Sequence, residues 1–305
     1  MTLGTVICYC TNDYRFIGKC IDEARRFSSQ IAIPVCDHFF NGEPENRLLL
    51  DHTYEAYPDC TFIEFTYTPG RLYSPFPTYV PSDDGWIRLW HQTARYIGFL
   101  HLKPEIEHVL FLDCDEIPEG ARVSRWLETG SYRDFNAMRL LVYYYSLRPT
   151  LRAKKLQDLV LLARRASLEP RFFFHPDERY ALYRYIEDPK KREVRGEDLK
   201  PLFHHFSWVR PPNECLRKAD SWGHRDDADW PKEIKRAFEE KKRKNLFGNI
   251  DLEFEEMADP YFDPFSVSIP TTPLPSRTFP HVKKVTPREI FQMELELAYG
   301  DRCDR

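Results

Sequence analysis

The amino-acid sequence predicts an α/β protein built on a doubly wound, mixed sheet flanked by helices. In residues 1–120, short apolar runs rich in β-branched residues alternate with stretches whose apolar residues recur at helical spacing. This alternation is typical of consecutive βαβ units. A run at residues 109–112 is apolar at every position, which predicts a strand buried on both faces in the middle of the sheet.

The remaining elements follow from the same patterns. Strands are predicted at residues 3–10, 31–36, 61–66, 136–145, 159–166 and 202–209. Helices are predicted at residues 17–27, 43–52, 86–100, 213–222, 231–245 and 287–298, with Ser82 or Asp83 as the cap of the third. The charged stretch at 187–200 indicates a surface loop, and the proline-rich stretch at 260–280 indicates a tail packed over the domain.

Composition excludes several classes of protein. A formal net charge of -4 and a pI near 6.2 provide no general attraction for nucleic acid. The 8 cysteines form no CxxC pair and lie mostly in apolar stretches, so we expect reduced core residues. The N-terminus lacks the pattern of a signal peptide, and no apolar run reaches the ~18 residues of a membrane span. We therefore expect no transmembrane segment and a cytoplasmic location.

The segment HVLFLDCDEIPEG at residues 108–120 carries the most specific chemical signal. Asp113 and Asp115 follow an apolar strand at its carboxyl end, where ligands of open α/β sheets bind, and strand alternation puts them on one face. Two carboxylates 4 Å apart repel by roughly 4 kcal/mol at an effective dielectric of 20. A divalent cation would relieve this repulsion and could bridge to a diphosphate. Alternatively, the two acids merely end the strand and cap a helix from Ala121.

Two motifs resemble glycosyltransferase family 17. The letters DCDEIP at residues 113–118 resemble its DxDEIP signature, and HFSW at residues 205–208 is similar to its HxSW segment. Pro212, Glu214 and Lys218 match the helix that follows in that family.

The N-terminal part also resembles family 2 glycosyltransferases. By this resemblance Thr11 and Asn12 lie in a nucleotide-contacting loop, Asp37 pairs with the base, and Arg95 precedes the aspartates on a helix of the donor site. Asp113 would then contact the donor ribose.

Together the resemblances imply a Rossmann-like GT-A fold and a metal-dependent glycosyltransferase. Its donor would be a nucleotide-diphosphate sugar, with UDP-sugar favoured, and its acceptor a glycan or other hydroxyl. Transfer would be of the hexosyl or N-acetylhexosaminyl type and inverting. Mn²⁺ or Mg²⁺ would be held by Asp113, Asp115 and His205, although a histidine beside aromatic residues is also common in a core.

The same resemblance divides the chain into two parts. Residues 1–230 would form the GT-A domain, with a nucleotide-binding half at 1–118 and an acceptor half at 119–230. Residues 231–305 would form a helical, proline-rich extension packed on it.

Two acids are candidates for the general base that takes the acceptor proton. Glu214 is predicted in the first turn of a helix, where acids are also favoured by the helix dipole alone. Asp188, with Glu187, resembles the acidic pair of family 2 but opens a charged stretch where solvated acids are expected.

Other functions compete with sugar transfer. In a phosphohydrolase of the haloacid dehalogenase type, Asp113 would be the nucleophile and Asp115 the acid/base, with Asp226 and Asp227 as metal ligands. That family places its DxD on the first strand, whereas residues 1–112 precede it in this chain. A non-catalytic nucleotide-sugar-binding protein is the third hypothesis.

His224 is interpreted as a structural residue, and the basic run at 241–244 is interpreted as a solvated face of a helix.

Overall fold

Strands and helices alternate through the first part of the chain in the computed structural model, which describes residues 2–68, 86–175, 177–221, 225–240, 252–290 and 292–293. The first elements are β1 (Leu3–Cys8), α1 (Tyr14–Ala24), β2 (Gln30–Cys36), α2 (Arg47–Ala56), β3 (Thr61–Phe65), α3 (Trp86–Leu100) and β4 (His108–Asp113). Each strand and helix predicted for this part is present, although the helices predicted at 17–27 and 43–52 lie at Tyr14–Ala24 and Arg47–Ala56. Ser82 and Asp83 lie outside the described residues.

The later elements are more irregular. They are β5 (Glu116–Pro118), α4 (Gly120–Glu128), β6 (Ala137–Ser146), β7 (Leu151–Ala153), β8 (Gln157–Arg164), α5 (Pro170–Phe173), α6 (Arg179–Tyr185), β9 (Lys190–Val194), β10 (Phe203–Trp208), α7 (Pro212–Asp220), α8 (Trp230–Glu240), β11 (Phe254–Glu256) and β12 (Val282–Val285). The predicted strands at 136–145, 159–166 and 202–209 are confirmed as β6, β8 and β10.

The charged stretch at 187–200 is not only a loop, and that prediction was wrong for β9. This strand pairs in parallel with β6 while most of its side chains stay exposed. Backbone hydrogen bonds define the strand, and a charged edge carries no apolar alternation that a sequence pattern could detect.

Among the described residues, 12 strands form one sheet, nine of them in the order β11-β7-β6-β8-β4-β1-β2-β3-β12. The other three lie off this path, where β9 and β10 each pair with β6 and β5 pairs with β10. The pairs β3-β2, β2-β1 and β1-β4 are parallel, whereas β8 runs antiparallel to both β4 and β6. The sheet is therefore mixed, and β4 lies in its interior between β1 and β8, as its apolar sequence predicts.

Both faces of the sheet are covered, which makes the fold doubly wound. On one face Ile7 and Leu112 belong to the same core cluster as Phe16 of α1. On the other face Val6 and Phe111 pack in the cluster that contains Trp90 of α3, and all three side chains are buried. Neighbouring residues of one strand thus point to opposite cores.

The C-terminal part contributes to both ends of the sheet. β12 pairs in parallel with β3, and β11 pairs antiparallel with β7. Between them the tail packs on the body, where the ring of Tyr261 stacks on His204 at 4.0 Å between centroids. Residues 287–290 are helical, within the helix predicted at 287–298. The division at residue 230 stays a prediction.

The described cysteines agree with the sequence analysis. Every described cysteine is free, and all of these except Cys10 are buried. Among the described residues, no helix combines the length and the apolar character needed to span a bilayer.

The close approach of α3 to the sheet generates a stability prediction. A Cβ atom added at Gly98 would lie 2.5 Å from Cγ1 of Val6 and 3.2 Å from Cδ of Pro34. Alanine gains up to ~1 kcal/mol in helix propensity over glycine, but overpacking a core costs ~1–3 kcal/mol. We expect Gly98→Ala to lower the melting temperature by a few degrees, measured by thermal unfolding.

Gly18 of α1 is the matched control. Its added Cβ would meet the hydroxyl of Tyr57 at 2.7 Å, the far end of a half-exposed side chain that can move away. Gly18→Ala should therefore leave the melting temperature unchanged or raise it. Stabilisation by Gly98→Ala would contradict the tight packing of α3 on β1.

Candidate functional site

A cavity of about 730 Å³ opens where the central strands end. Cys8, Cys36 and Asp113, the last residues of β1, β2 and β4, contribute to its lining. A second wall comes from β6, β8 and β9 and includes Arg139 and Arg192. Carboxyl ends of parallel strands are the usual ligand-binding edge of an open α/β sheet.

Asp113 is held by two guanidinium groups. Its Oδ1 accepts from Nη2 of Arg95 at 2.8 Å, and its Oδ2 accepts from Nη2 of Arg179 at 3.0 Å. Nε2 of His91 lies 3.4 Å from Oδ1. Burial opposes ionisation, but Arg179 and Arg95 outweigh it and hold the pKa of Asp113 well below its usual value. Asp113 is therefore a fixed carboxylate.

Asp115 is bound by a separate set of cations and is 3% exposed. Its Oδ2 accepts from Nζ of Lys218 at 2.6 Å and from Nη2 of Arg210 at 3.0 Å. Its Oδ1 faces Nε2 of His205 at 3.5 Å. Burial raises the pKa of Asp115, but Lys218 and His205 outweigh it and leave that pKa far below the ordinary value.

The register of β10 against β5 brings His205 to this place. His205 pairs with Glu116 in an antiparallel ladder, and it therefore lies beside the turn that carries Asp115. Trp208 ends β10, is fully buried and stacks on Trp230 at 5.4 Å, which anchors the chain before α7. Lys218 of α7 also donates to the backbone carbonyl of Ser207 at 3.1 Å. The HFSW segment thus contributes His205 and positions Lys218, two of the three partners of Asp115.

The gap between Asp115 and His205 fits a metal ion. Its 3.5 Å is close to the separation of two adjacent ligands on one ion with bonds of ~2.1 Å. Nδ1 of His205 is buried and has no hydrogen-bond partner among the described residues. If the proton lies there, two lone pairs face each other across the gap, and a cation between them would remove the repulsion.

A second cluster of possible metal ligands is less suitable for binding a cation. Ligand atoms of Cys8, His91 and Asp113 lie within 4.8 Å of one another. Nη2 of Arg95 lies 3.1 Å from Nε2 of His91 and 2.8 Å from Oδ1 of Asp113, so a positive charge already stands between these ligands.

Glu116 and Glu178 are two further acids close to the Asp113 cluster. Glu116 is fully buried and binds Arg179 through two contacts of 2.6 and 2.7 Å. Glu178 contributes to the cavity lining and has a positive φ of 50°, a conformation that residues other than glycine rarely adopt. Burial raises its pKa, but His91 and Arg95 outweigh this effect and lower it to about 2.

Only some of the predicted donor-site residues belong to the described lining of the cavity. Asn12 contributes to the cavity lining, whereas Thr11 is directed at Glu45, to which it donates from both its backbone N and its hydroxyl. Asp37 follows β2, where its Oδ1 pairs with Nδ1 of His38 and accepts from the backbone N of Tyr67, each at 2.7 Å. Arg95 is fully buried behind Asp113.

The two candidate bases are not brought to the described cavity lining. Glu214 is bound by Arg15 through contacts of 2.8 and 2.9 Å, and Arg15 also donates to the carbonyl of Pro264. The Asp188 side chain is 88% exposed and lies 3.9 Å from Lys190. Asp226 is exposed and pairs with Arg225. His224 and residues 241–244 lie outside the described residues.

Sequence reasoning missed several residues of the site. They are Glu45, His91, Glu178, Arg179 and Arg210. A buried arginine shows no sequence signal, because arginine and glutamate are read as surface residues by default. His91 lies one turn before Arg95 on α3, so helical spacing could have found it.

Comparisons with known proteins find structural likeness only. No family model matches the chain. No curated protein matches it either.

Among solved structures, TarS from S. aureus in complex with UDP has a TM-score of 0.40 and 12% identity, covering 78% of this chain and 72% of that one. Glucosyl-3-phosphoglycerate synthase from Mycobacterium tuberculosis, in complex with Mn²⁺, UDP and phosphoglyceric acid, has a TM-score of 0.38 and 13% identity, covering 77% and 78%. Rv0371c from M. tuberculosis H37Rv, in complex with manganese, has a TM-score of 0.37 and 9% identity, covering 63% and 87%. Likeness this low leaves the functional interpretation to the geometry of the site.

Glu45 generates a pH prediction. It is 8% exposed, and its Oε1 has no hydrogen-bond partner among the described residues. Burial raises its pKa to about 7. Because the folded pKa lies above the unfolded value of ~4.3, the stability that Glu45 contributes is present below that value and is lost as pH rises through 7.

We expect Glu45→Gln to be free of this loss, since glutamine resembles the protonated acid. Its melting temperature relative to the unsubstituted protein should rise between pH 4.5 and 7. Exposed Glu43 is the control, and Glu43→Gln should show no such trend. A constant difference for Glu45→Gln across this range would contradict the assignment.

Proposed function

We propose that this protein is a metal-dependent glycosyltransferase of the GT-A type, which transfers a sugar from a nucleotide-diphosphate sugar to a hydroxyl acceptor. One observation carries the proposal: Asp115, at the end of the central strand, faces His205 and Lys218 inside the cavity at the ligand-binding edge of the sheet. A carboxylate, an imidazole and an ammonium group together suit a metal ion and an anionic leaving group.

Asp115 Oδ1 and His205 Nε2 would hold Mn²⁺ or Mg²⁺. When bound, the cation would neutralise charge that develops on the departing diphosphate. Lys218 has three donors, and Nζ contacts Asp115, the carbonyl of Ser207 and, at 3.5 Å, the hydroxyl of Ser207. The long contact with the hydroxyl could be exchanged for a hydrogen bond to a diphosphate oxygen without Nζ moving far.

Asp113 suits a donor hydroxyl rather than the metal in this proposal. Its two oxygens are already fixed by Arg95 and Arg179, and a rigid carboxylate can still accept a further hydrogen bond from a ribose hydroxyl. The Thr11-Asn12 turn, tied down by Glu45, would contact the nucleotide, with Asp37 at the base. UDP is the favoured nucleotide by the resemblance of the sequence motifs.

The wall formed by β6, β8 and β9 would receive the acceptor.

Inverting transfer of a hexosyl or N-acetylhexosaminyl group, with Glu214 or Asp188 as the base, stays a prediction. Each acid is tested by Glu214→Gln or Asp188→Asn: the base is the acid whose amide variant loses kcat by ~100-fold or more with KM retained. Glu214→Gln is measured together with its melting temperature, because Arg15 loses an ion-pair partner.

The donor site generates a binding prediction. A nucleotide diphosphate at 100 times its Kd should stabilise the protein by ~2.7 kcal/mol, which raises the melting temperature by a few degrees. We expect UDP to act only when Mn²⁺ or Mg²⁺ is present. Asp115→Asn should abolish this shift, because it removes the charge that the cation requires. The measurement is a thermal-shift panel of nucleotide diphosphates with and without metal.

Asp226→Asn is the control, since this acid is exposed and outside the described lining of the cavity. It should respond to UDP and metal like the unsubstituted protein. If no nucleotide diphosphate shifts the melting temperature of the unsubstituted protein in the presence of metal, the proposed function fails.

A further inference from the structure

Arg139 lies on β6, in the cavity wall that is remote in sequence from the aspartates. The residue is 6% exposed and still contributes to the cavity lining. The lining of this wall includes uncharged Leu141 and Leu159 as well as the charged residues Lys155, Asp158, Arg192 and Glu193. A guanidinium group is thus buried at the edge of the cavity, on a wall that carries charges of both signs.

The protein supplies Arg139 with a single kind of acceptor. Its Nε and Nη2 both donate to the backbone carbonyl of Asp158, the former at 2.9 Å. The ring of Tyr180 lies 5.7 Å from Cζ. The carboxylate of Asp158 is bound instead to Nε of Arg192 at 2.7 Å. Within the described ranges, no carboxylate comes within ion-pair distance of Arg139.

Other buried arginines of the same region differ in this respect. Arg95 and Arg210 are fully buried, and each is paired with an aspartate, at 2.8 Å to Asp113 and 3.0 Å to Asp115. Burial alone would lower their pKa values, yet the paired carboxylates raise both. Burial, followed by repulsion from Arg179, lowers the pKa of Arg139 to about 10, and attraction to Asp158 and Glu116 opposes this only in part. Arg139 is therefore a buried cation with no described carboxylate in direct contact.

An uncompensated buried charge costs several kcal/mol, so a folded chain keeps one where an outside group can pair with it. Nη1 of Arg139 makes no hydrogen bond with the described residues, and it is not among the atoms sealed from solvent. Lys155 is exposed on the same wall and forms no ion pair with the described residues. Both cations are available to a molecule that enters the cavity.

We propose that the acceptor carries an anionic group, a phosphate or a carboxylate, which pairs with Arg139. This inference rests on the proposed function in one respect, namely that the donor occupies the Asp115 side of the cavity. The planar guanidinium of arginine can bind two oxygens of such a group at once. Anchoring the anionic group in this way would fix the position of the acceptor hydroxyl, which lies at a set distance from it. Glu193 and Asp158 on this wall would disfavour acceptors whose charge lies away from Arg139.

Anion binding is tested on the full chain by thermal shift, with inorganic phosphate and glucuronate titrated separately. We expect one of them to stabilise the unsubstituted protein, and which one does so identifies the anionic group. Arg139→Met should raise the apparent Kd for that anion by ~10-fold or more, as expected for loss of charge-assisted hydrogen bonds. Without ligand, its melting temperature should be unchanged or higher, because the uncompensated charge is gone.

Two control variants separate this site from others. Arg171→Met removes an exposed arginine that pairs with Glu169, and it should keep the anion response. Lys218→Met alters the proposed donor side, and it should lose the response to UDP and metal while keeping the response to the anion. Arg139→Lys keeps the charge without the planar guanidinium, so its anion affinity should be lower than that of the unsubstituted protein, and this comparison does not require the methionine variant to fold.

The outcomes distinguish the two proposals. Absence of any anion response in the unsubstituted protein, or an unchanged response in Arg139→Met, overturns the anionic acceptor. An anion response that Lys218→Met removes and Arg139→Met retains also overturns it, since the anion then binds on the donor side. Absence of a UDP response, with the anion response intact, contradicts the donor assignment alone.

Discussion

The pairing of Asp113 and Asp115 with basic side chains is the constraint on which this structure depends. Both carboxylates stand at the end of a buried strand, where an unpaired charge would cost several kcal/mol. Arg95 of α3 and Arg179 of α6 hold the first, while Lys218 of α7 and the preceding Arg210 hold the second. These partners come from distant parts of the chain, so the charges of both acids are paired only when α3, α6 and α7 have all docked.

The same pairing gives each carboxylate a different chemical role. Asp113 has both oxygens bound by guanidinium groups and is suited to accept one more hydrogen bond. Asp115 has one oxygen bound by Lys218 and another that faces His205 at 3.5 Å. Arg210 binds the same oxygen of Asp115 as Lys218, so a cation can approach the other oxygen, Oδ1, without meeting an arginine. Arg139, on the other wall of the cavity, has no described carboxylate in contact. The charges are therefore paired around the two aspartates, whereas the charge of Arg139 has no direct ion-pair partner.

Local sequence patterns predicted those strands and helices in which the buried residues recur at a regular spacing. The apolar strand before Asp113 and the helical face from Trp90 to Ile97 on α3 appear where the pattern places them, because each buries a continuous face in the sheet core. The charged strand β9 has no such period and was missed. Its position follows from backbone pairing with β6, which no side-chain pattern records.

Amino-acid order alone determined the central sheet, the two aspartates at its edge and the motif that carries His205, because each depends on residues close together in the chain. Tertiary structure decided which cation meets which acid. It directed Glu214 to Arg15 and left Asp188 exposed, and it buried Arg139 without a carboxylate. Such pairings join residues far apart in sequence, and their energies depend on burial and distance, which only the folded chain defines.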